Sequence, residues 1–355
     1  MKAIIAMSGG VDSSVAAYLI KQQGYETVGV TLKLFSNEDI GECATKTCCS
    51  QKDVEDARNV CFKLGIKHYV FNFKDQFKKE VIAKFIDSYQ KGFTPNPCID
   101  CNRFIKFDRL LQKAVEMDFN YMVTGHYAVI EYDNASKRYI LKKSADQKKD
   151  QSYVLYGLTQ EQLSKTLLPL GMMTKNEIRD IAAEHDFINA KKHDSQDICF
   201  VRDGNYSKFI ENYTGKKSSE GNFIDINGKI IGRHGGIINY TIGQRKGLGL
   251  TYHKRLFVCD KNIKKNTVTL GGPDDLFSKS LEASDINLIA CSKIDKPIRV
   301  KAKIRYNQKE EPATVEQIGK DKLHIEFDFP QRAVTKGQAV VLYDNDIVVG
   351  GGTII

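Results

Sequence analysis

Short apolar runs alternate with amphipathic stretches in the first part of the chain. Strand-like runs are followed by segments whose apolar positions recur at helical spacing, and this alternation predicts a doubly wound parallel α/β sheet. Thr174 and Glu177 form a capping box that predicts a helix ending near residue 185. The predicted strands are 3–7, 27–34, 68–73 and 121–124, and the predicted helices are 13–24, 54–64, 77–89 and one whose apolar face carries Phe104, Phe107, Leu110, Leu111, Ala114 and Val115.

The pattern changes near residue 212. The polar string TGKKSSEGN is typical of a linker, and glycines become frequent in GRHGGIINYTIGQRKGLG after it. From about residue 283 the chain reads as strands and turns, which predicts a small C-terminal β-barrel or sandwich. The strands predicted there are 301–306, 313–318, 323–327, 339–343 and 347–349. We therefore expect a catalytic domain over residues 1–212, a central domain over 213–282 and a β-barrel domain over 283–355.

Composition and charge narrow the class of protein. The chain has 355 residues, 41% hydrophobic and 27% charged, with no apolar run near the roughly 20 residues of a membrane span. Its start lacks a signal-peptide pattern, so we expect a soluble cytoplasmic protein without a membrane partner. The net charge of +9 and pairs such as Arg245-Lys246 and Lys264-Lys265 fit a polyanionic partner, although a mildly basic enzyme would look the same.

Cysteine usage argues against a structural disulfide framework. There are nine cysteines, and a reducing compartment does not favour such a framework. Cys61, Cys259 and Cys291 lie in apolar stretches, where a thiol behaves as a small hydrophobic group. Of the other six cysteines, five are candidates for chemistry: Cys48, Cys49, Cys98, Cys101 and Cys199.

The string SGGVDSS follows the first predicted strand and opens the first helix. Adjacent glycines allow a close backbone approach to an anion, and the helix start offers N–H donors. The negative charge of Asp12 would not help to bind a bare phosphate, so Mg²⁺ is its expected partner. An ordinary turn with Asp and Ser as caps is the structural alternative. The string is neither a Walker A loop nor GxGxxG.

Two further strings carry candidate nucleophiles. TPNPCIDCN places Cys98 and Cys101 between a proline turn and a helix, and a position near the helix N-terminus would lower the pKa of the Cys101 thiol. Half of a zinc site is the alternative, but no second CxxC pair completes it. Cys199 lies in HDSQDICF and taken alone would be a core cysteine.

SGGVDSS resembles the PP-loop signature of ATP pyrophosphatases, which split ATP between the α and β phosphates and adenylate an oxygen. Taken with TCCSQKDVEDAR, TPNPCxxCN, TGHYA, KDQSY, DSQDICF, YTIGQRKGLG and IRYNQ, it resembles the tRNA-specific 2-thiouridylase family along essentially the whole chain. That family replaces an oxygen of the wobble uridine in tRNA with sulfur. The resemblance implies a Rossmann-like PP-loop domain, ATP and Mg²⁺ as cofactors, and a persulfide supplied by a sulfur-donor protein or relay.

The same resemblance implies site residues. It makes Cys101 the nucleophile and Cys199 the persulfide carrier, joined by a transient disulfide. Leu32 stands where many members have Met. The implied ATP-binding residues are Ala6, Met7, Ser8, Gly9, Gly10, Val11, Asp12, Ser13, Leu32 and Gly125, and the implied tRNA-binding residues are His126, Lys149, Asp150, Gln151, Arg305, Tyr306 and Gln338.

Several alternatives stay open at the level of the sequence. Sulfur could attack the uridine as the Cys199 persulfide, or Cys101 could first release hydrosulfide. Cys98 stands where other members carry Asp; it could be a bystander, a resolving thiol, or a ligand with Cys101 and Cys199 of an iron–sulfur cluster. An amidating PP-loop ligase and a non-catalytic RNA-binding protein are the competing functions.

Overall fold

The structure is a computed structural model that describes residues 1–36, 51–192, 197–201, 204–252 and 254–355. The unexplained pair Cys48-Cys49 lies outside these residues. The first sheet has five parallel strands in the order β3-β2-β1-β4-β7. Its strands are β1 Lys2–Ala6, β2 Glu26–Lys33, β3 Lys67–Asn72, β4 Tyr121–Val123 and β7 Thr166–Leu167.

Helices cover this sheet. A continuous helical stretch joins α3, a π-helical segment over Lys78–Ile82 and α4, and a second one joins α5, a π-helical segment over Cys101–Leu110 and α6. The helices are α1 Val11–Gln22, α2 Gln51–Lys63, α3 Lys74–Phe77, α4 Ala83–Gln90, α5 Pro97–Asp100, α6 Leu111–Glu116, α7 Ser152–Leu155, α8 Gln160–Ser164, α9 Lys175–Glu184 and α10 Tyr206–Thr214. The predicted doubly wound parallel sheet is confirmed, and so is the capping box at Thr174.

Alternate residues of the parallel strands feed two apolar clusters. Ile4 and Val30 belong to one cluster, and Ala3 and Ile5 belong to the other. Burial of both faces explains why these strands are nearly continuous apolar runs. The strand order reverses between β1 and β4, and ligands bind in doubly wound sheets at the crevice outside such a reversal.

The central part of the chain forms a four-stranded sheet in the order β10-β11-β8-β9. Its strands are β8 Gly221–Ile224, β9 Ile230–His234, β10 Phe257–Asn262 and β11 Thr267–Gly271. The predicted barrel follows, because six antiparallel strands close when β12 pairs with both β15 and β17. Those strands are β12 Phe277–Leu288, β13 Ile298–Lys303, β14 Glu311–Gly319, β15 Lys322–Arg332, β16 Ala339–Asp344 and β17 Ile347–Ile354.

Three features of the fold differ from the prediction. A hairpin of β5 Ala128–Asp133 and β6 Arg138–Lys143 extends the barrel sheet through β17. Strand β12 was not predicted because two register irregularities, between Ser278 and Ser280 and between Ser284 and Asn287, break its alternation. The strand predicted over 301–306 ends at Lys303, where the chain turns.

The division into three domains stays a prediction. Helix α10 runs across residue 212 and strand β12 runs across residue 283, so both predicted boundaries fall inside regular elements.

Candidate active site

The SGGVDSS loop leaves β1 and enters α1 at the reversal in strand order. The amide of Ser8 donates to Ser13 Oγ at 3.2 Å, and Ser13 Oγ donates to the Gly10 carbonyl at 3.0 Å. Gly9 has a φ of +74°, and a Cβ built there would lie 2.3 Å from the carbonyl oxygen of Asp53. A side chain at Gly9 is therefore excluded both by its backbone conformation and by the neighbouring helix α2.

The N-terminus of α1 is open to an anion. Gly10 is its cap residue and supplies no side-chain acceptor to the first turn. Uncapped N–H groups at a helix start, together with the helix dipole, favour a bound phosphate. These residues fit the triphosphate of a nucleotide better than the alternative in which Asp and Ser merely cap a turn.

Asp12 is held by two partners that its motif does not contain. Lys175 Nζ lies 2.7 and 2.9 Å from its two carboxylate oxygens, and the Tyr127 hydroxyl donates to one of them at 2.7 Å. Lys175 is buried, with 6% of its surface exposed, so the carboxylate balances its charge. The capping box predicted the start of α9 at this point, but nothing in the sequence assigned its first lysine to the nucleotide loop.

A second lysine supports the loop from the other side. Lys192 Nζ bonds the Gly9 carbonyl at 3.0 Å and reaches Asp53 and Asp56 at 2.5 and 2.7 Å. Asn189 also donates to the Gly9 carbonyl. Desolvation opposes the charge on Lys192, but the two carboxylates outweigh it and raise the pKa of the lysine. Lys192 thus stays protonated beside the loop.

The end of β4 contributes the other predicted nucleotide contact. A Cβ at Gly125 would lie 2.8 Å from backbone atoms of Asp12 and Ser13, so Gly125 allows β4 to approach α1. His126 bonds Thr124 Oγ1 through Nδ1 at 2.7 Å. Burial, with a smaller contribution from Lys106, lowers the pKa of His126 well below its ordinary value, so this histidine is neutral at pH 7. Leu32 is buried on strand β2, on the other side of β1.

The helix that carries Cys98 and Cys101 begins at Pro97. Asn96 caps it by accepting the amide of Cys98 at 3.1 Å, and Pro97 occupies the first helical position. Cys98 therefore lies in the first turn and is exposed, whereas Cys101 lies one turn further along and is buried. The expected placement of Cys101 at the helix N-terminus applies to Cys98 instead.

Cys199 is half-buried and packs against the same apolar cluster that contains Cys101. Its neighbour Phe200 is almost fully buried and makes edge contacts with Phe77 and Phe85, with ring centroids 5.7 and 5.2 Å apart. This aromatic anchor holds the end of the DSQDICF string against the helical layer. Cys101 and Cys199 therefore border the same extended apolar cluster, which also takes in residues of the central sheet and of the barrel.

Across the described ranges, no group of three or more His, Cys, Asp or Glu side chains is arranged to hold a metal ion. As they stand, Cys98, Cys101 and Cys199 do not form a three-thiolate site. A Mg²⁺ ion needs only one or two carboxylates plus substrate phosphates, and Asp12 can supply one of these.

The predicted tRNA contacts around KDQSY fall on a turn that is held by hydrogen bonds. The Asp150 carboxylate is buried and accepts bonds from the amides of Ser144 and Ser152 and from the Ser152 hydroxyl. Gln151 bonds the backbone of Tyr127 through both its amide and its side chain. The side chains of Asp150 and Gln151 thus shape the loop that presents the half-buried Lys149.

The other predicted tRNA contacts lie where the barrel meets its neighbours. Arg305 donates to the carbonyls of Ile242 and Ala333 at 3.1 Å each and to Thr335 Oγ1 at 2.6 Å. The Tyr306 hydroxyl donates to the Asp150 carbonyl at 3.2 Å. Gln338 donates to the carbonyl of Thr94 at 2.7 Å and so ties the barrel to the loop before Cys98.

An SGGVDSS loop at the switch point of this parallel sheet defines a nucleotide-binding α/β protein of the PP-loop class. Three family models match the chain: the tRNA methyl transferase HUP domain over residues 1–203, its PRC-barrel domain over 207–272, and an aminomethyltransferase beta-barrel domain over 278–354. Within the described residues, no helix is both long and apolar enough to cross a membrane.

Full-length relatives narrow the class further. The chain is 54% identical to the tRNA-specific 2-thiouridylase MnmA of Clostridioides difficile, covering 99% of this chain and 98% of that protein. It is 52% identical to the protein of the same name from Acetivibrio thermocellus, covering 99% of both. Among solved structures, a 4-thiouridine synthetase–RNA complex with bound ATP aligns with 60% of this chain and 50% of its own, at 20% identity and a TM-score of 0.37. The chain belongs to the tRNA-specific 2-thiouridylase family.

Proposed function

We propose that this protein is a tRNA-uridine 2-sulfurtransferase, which uses ATP to replace the carbon-2 oxygen of the wobble uridine with sulfur. The full-length match to relatives named as 2-thiouridylases carries the proposal. The open phosphate-binding helix start and the shared cluster of Cys101 and Cys199 support it. The chain matches its relatives over their full length and contains both the nucleotide loop and the two cysteines. We therefore expect the whole reaction to occur on this chain, in the cytoplasm.

The first half-reaction activates the oxygen. The uridine oxygen attacks the α-phosphorus of ATP, pyrophosphate leaves, and an adenylated base results. The first turn of α1 and the SGGVDSS loop would bind the phosphates, while Lys175 and Lys192 supply positive charge beside them. Mg²⁺, with Asp12 as its protein ligand, would neutralise charge on the departing pyrophosphate.

The second half-reaction brings in the sulfur. In the direct route, the terminal sulfur of a Cys199 persulfide attacks carbon 2 and AMP leaves. The Cys101 thiolate then attacks Cys199 Sγ, the sulfur–sulfur bond breaks, and its electron pair stays on the thiouridine. A Cys101–Cys199 disulfide remains and must be reduced before the next turnover.

The hydrosulfide route uses the same two residues in another order. Cys101 would attack the persulfide first, and the released hydrosulfide would then attack the adenylated base. Membership of both thiols in one cluster is compatible with either order. A sulfur-donor protein or persulfide relay loads Cys199 in both routes. We propose a site without an iron–sulfur cluster, because the persulfide route already uses both Cys101 and Cys199.

The substrate tRNA would approach through the predicted contacts at His126, Lys149, Asp150, Gln151, Arg305, Tyr306 and Gln338. Tyr306 joins the barrel to the KDQSY turn, and Gln338 joins the barrel to the loop before Cys98. The wobble base must leave the anticodon stack to reach the nucleotide and the thiols. We therefore propose that these residues shape the entrance as well as contacting the RNA.

The test is a reconstituted reaction of the purified protein with unmodified tRNA, ATP, Mg²⁺ and a persulfide donor. We expect AMP release that depends on tRNA, together with 2-thiouridine detected by mass spectrometry of tRNA digests. Incorporation of ammonia instead of sulfur would favour an amidating ligase. Binding of tRNA without any AMP release would leave a non-catalytic RNA-binding protein.

A further inference from the structure

A cavity of about 680 Å³ lies in the central part of the chain, in a segment that neither the nucleotide loop nor the cysteines use. It is lined by Arg245, by residues 247–252 and by residues 254–256, and so includes the end of the YTIGQRKGLG string. Arg245, Lys254 and Arg255 stand around it and are all exposed. Of the residues that the structure describes, no carboxylate pairs with these three cations, whereas Arg233 of the same domain pairs with Glu220 at 3.3 Å.

The lining of the cavity combines charge with apolar surface. Leu248, Leu250 and Leu256 are half-buried and pack against the main apolar cluster, so they form a fixed floor. Tyr252 is 39% exposed beside them. A cationic rim over an apolar and aromatic floor suits a nucleotide, whose phosphate binds the cations while its ribose or base lies against the floor.

The backbone around the cavity is accessible as well. Gly247 and Gly249 have φ values of +74° and +66°, and a Cβ at Gly249 would meet no atom within 4 Å. These glycines are required by their conformation rather than by crowding, and they leave the main chain open to a phosphate. A protein partner would instead need a broad and flatter surface.

The cavity is joined to the predicted tRNA contacts by positive charge. Arg305 bonds the carbonyl of Ile242, close before Arg245 in the chain. Arg332 stacks on Phe257 with its guanidinium carbon 5.2 Å from the ring centroid, and its side chain reaches within 3.8 Å of a Cβ built on Gly243. Burial and then the neighbouring Arg332 lower the pKa of Arg305, although Tyr153 opposes the shift. Cationic side chains therefore extend from the cavity to the barrel.

We propose that this cavity is an additional tRNA-binding subsite, which holds the phosphodiester backbone and one nucleotide of the substrate away from the reacting base. This inference rests on the proposed tRNA substrate. It assigns Arg245, Lys254 and Arg255 to affinity for the tRNA and gives them no part in adenylation or sulfur transfer.

The experiment compares two double variants with the same loss of charge. Arg245→Ala/Arg255→Ala removes two cavity cations, and Lys264→Ala/Lys265→Ala removes two exposed cations between β10 and β11 of the same domain. Affinity for unmodified tRNA is measured by fluorescence anisotropy across a salt series. The cavity variant should bind about tenfold more weakly or worse, and its log–log salt slope should flatten by about 1.4 to 1.8, the value for two phosphate contacts.

Steady-state thiolation supplies the second readout. In the cavity variant the KM for tRNA should rise by the same factor as the dissociation constant, with kcat and the KM for ATP unchanged. The Lys264→Ala/Lys265→Ala control should shift affinity by no more than about twofold to threefold. Unchanged melting temperatures of both variants would exclude a general loss of folding.

Three results would overturn the subsite. Equal loss of affinity in both double variants would show a long-range field without a local site. A fall in kcat at constant KM would place the two arginines in the catalytic machinery. Normal tRNA binding with slow loading of sulfur from the donor protein would make the cavity a protein-docking site. Wild-type protein in parallel separates the hypotheses, because its failure to bind and thiolate tRNA would reject the proposed function itself.

Discussion

The nucleotide loop and the cysteine site are built in different ways. The loop is continuous in the sequence, and its own residues make most of its turn: Ser8, Ser13 and Ser14 bond within it. The cysteine site joins a helix start at Pro97 to a distant segment that is anchored by Phe200. Local chemistry specifies the first site, whereas tertiary packing specifies the second.

The two sites also differ in how they use charge. Around the loop, Asp12, Asp53 and Asp56 are matched by Lys175 and Lys192 at close range. The cysteines instead share an apolar cluster with Phe107 and Phe200. A polar site suits the binding of ATP and Mg²⁺, and an apolar one limits the access of water to a persulfide. The difference predicts that each site can be disabled without the other.

The largest expected effect is loss of thiolation in Cys101→Ser and in Cys199→Ser. Each variant lacks one of the two sulfurs that the transfer requires, but both residues lie outside the SGGVDSS loop, so ATP binding should persist. Only Cys199→Ser should also fail to acquire a persulfide, seen as the absence of an adduct of about 32 daltons by mass spectrometry.

Cys291→Ala is the matched thiol control, because Cys291 packs in the barrel and has no part in the proposed chemistry. Its activity should be close to that of the wild type. Residual thiolation in Cys101→Ser would contradict the two-thiol scheme and favour Cys98 as a substitute nucleophile.

A second large effect is expected from Asp12→Asn. The variant keeps the shape of the side chain but loses the charge that balances Lys175 and can bind Mg²⁺. We expect tRNA-dependent release of pyrophosphate to fall about a hundredfold or more, since a charge-stabilising group is removed from the transition state. Affinity for tRNA and loading of the Cys199 persulfide should stay near wild type.

Asp118→Asn serves as the control, because Asp118 is an exposed carboxylate paired with Lys2 at 2.9 Å. It should leave pyrophosphate release unchanged. If Asp12→Asn instead releases pyrophosphate normally, the assignment of the SGGVDSS loop to adenylation is wrong.

A medium effect is expected at Asp100, beside Cys101. Burial raises the pKa of the Asp100 carboxyl to about 6, although Lys84 and Arg103 oppose the shift. The folded protein therefore holds this proton more tightly than the unfolded chain, so the free energy of unfolding falls as pH rises from about 4 to about 6. Asp100→Asn should remove that fall and be more stable than wild type at pH 7.5, by about 1–3 kcal/mol.

Chemical denaturation between pH 4 and pH 7.5 measures this difference. Glu177→Gln is the comparison variant, because the pKa of Glu177 is shifted in the opposite direction: hydrogen bonds from Thr174 lower it. Its contribution should be present at neutral pH and lost as pH falls. A stability difference between Asp100→Asn and wild type that does not vary with pH would refute the assigned shift.

The comparison also explains what could be read from the sequence. The β1-loop-α1 unit, the parallel sheet and most barrel strands were predicted, because each rests on local periodicity or a local turn. The sequence did not assign Lys175, Tyr127 and Lys192 to the loop. Each bonds a loop residue more than a hundred positions away, and nothing in the local sequence indicates such a partner.

The barrel and the cysteines also depart from the sequence prediction where distant contacts decide the structure. Strand β12 was not predicted since its irregular pairing with two neighbours removes the alternation of a regular strand. The TPNPC string predicted a helix after the two cysteines, but the helix starts at Pro97 and contains both, so that Cys98 rather than Cys101 occupies its first turn. The roles of the individual site residues stay predictions for the experiments above.

The smallest expected effect concerns the ion pair that joins the cysteine helix to the barrel. Arg103 contacts the Asp285 carboxylate through both terminal nitrogens, at 2.5 and 3.0 Å. Both side chains are partly exposed, so Asp285→Asn should cost only about 0.5–1 kcal/mol of unfolding free energy and lower the melting temperature by a few degrees at most. Because Arg103 follows Cys101 on the same helix, the rate of thiolation should fall severalfold while ATP-dependent release of pyrophosphate stays unchanged.

Arg299→Gln is the control, because it breaks the bidentate pair with Asp328 on the barrel surface. It should lose similar stability without slowing thiolation. Equal slowing of thiolation and pyrophosphate release by Asp285→Asn would show that the two sites are coupled through the barrel rather than separable.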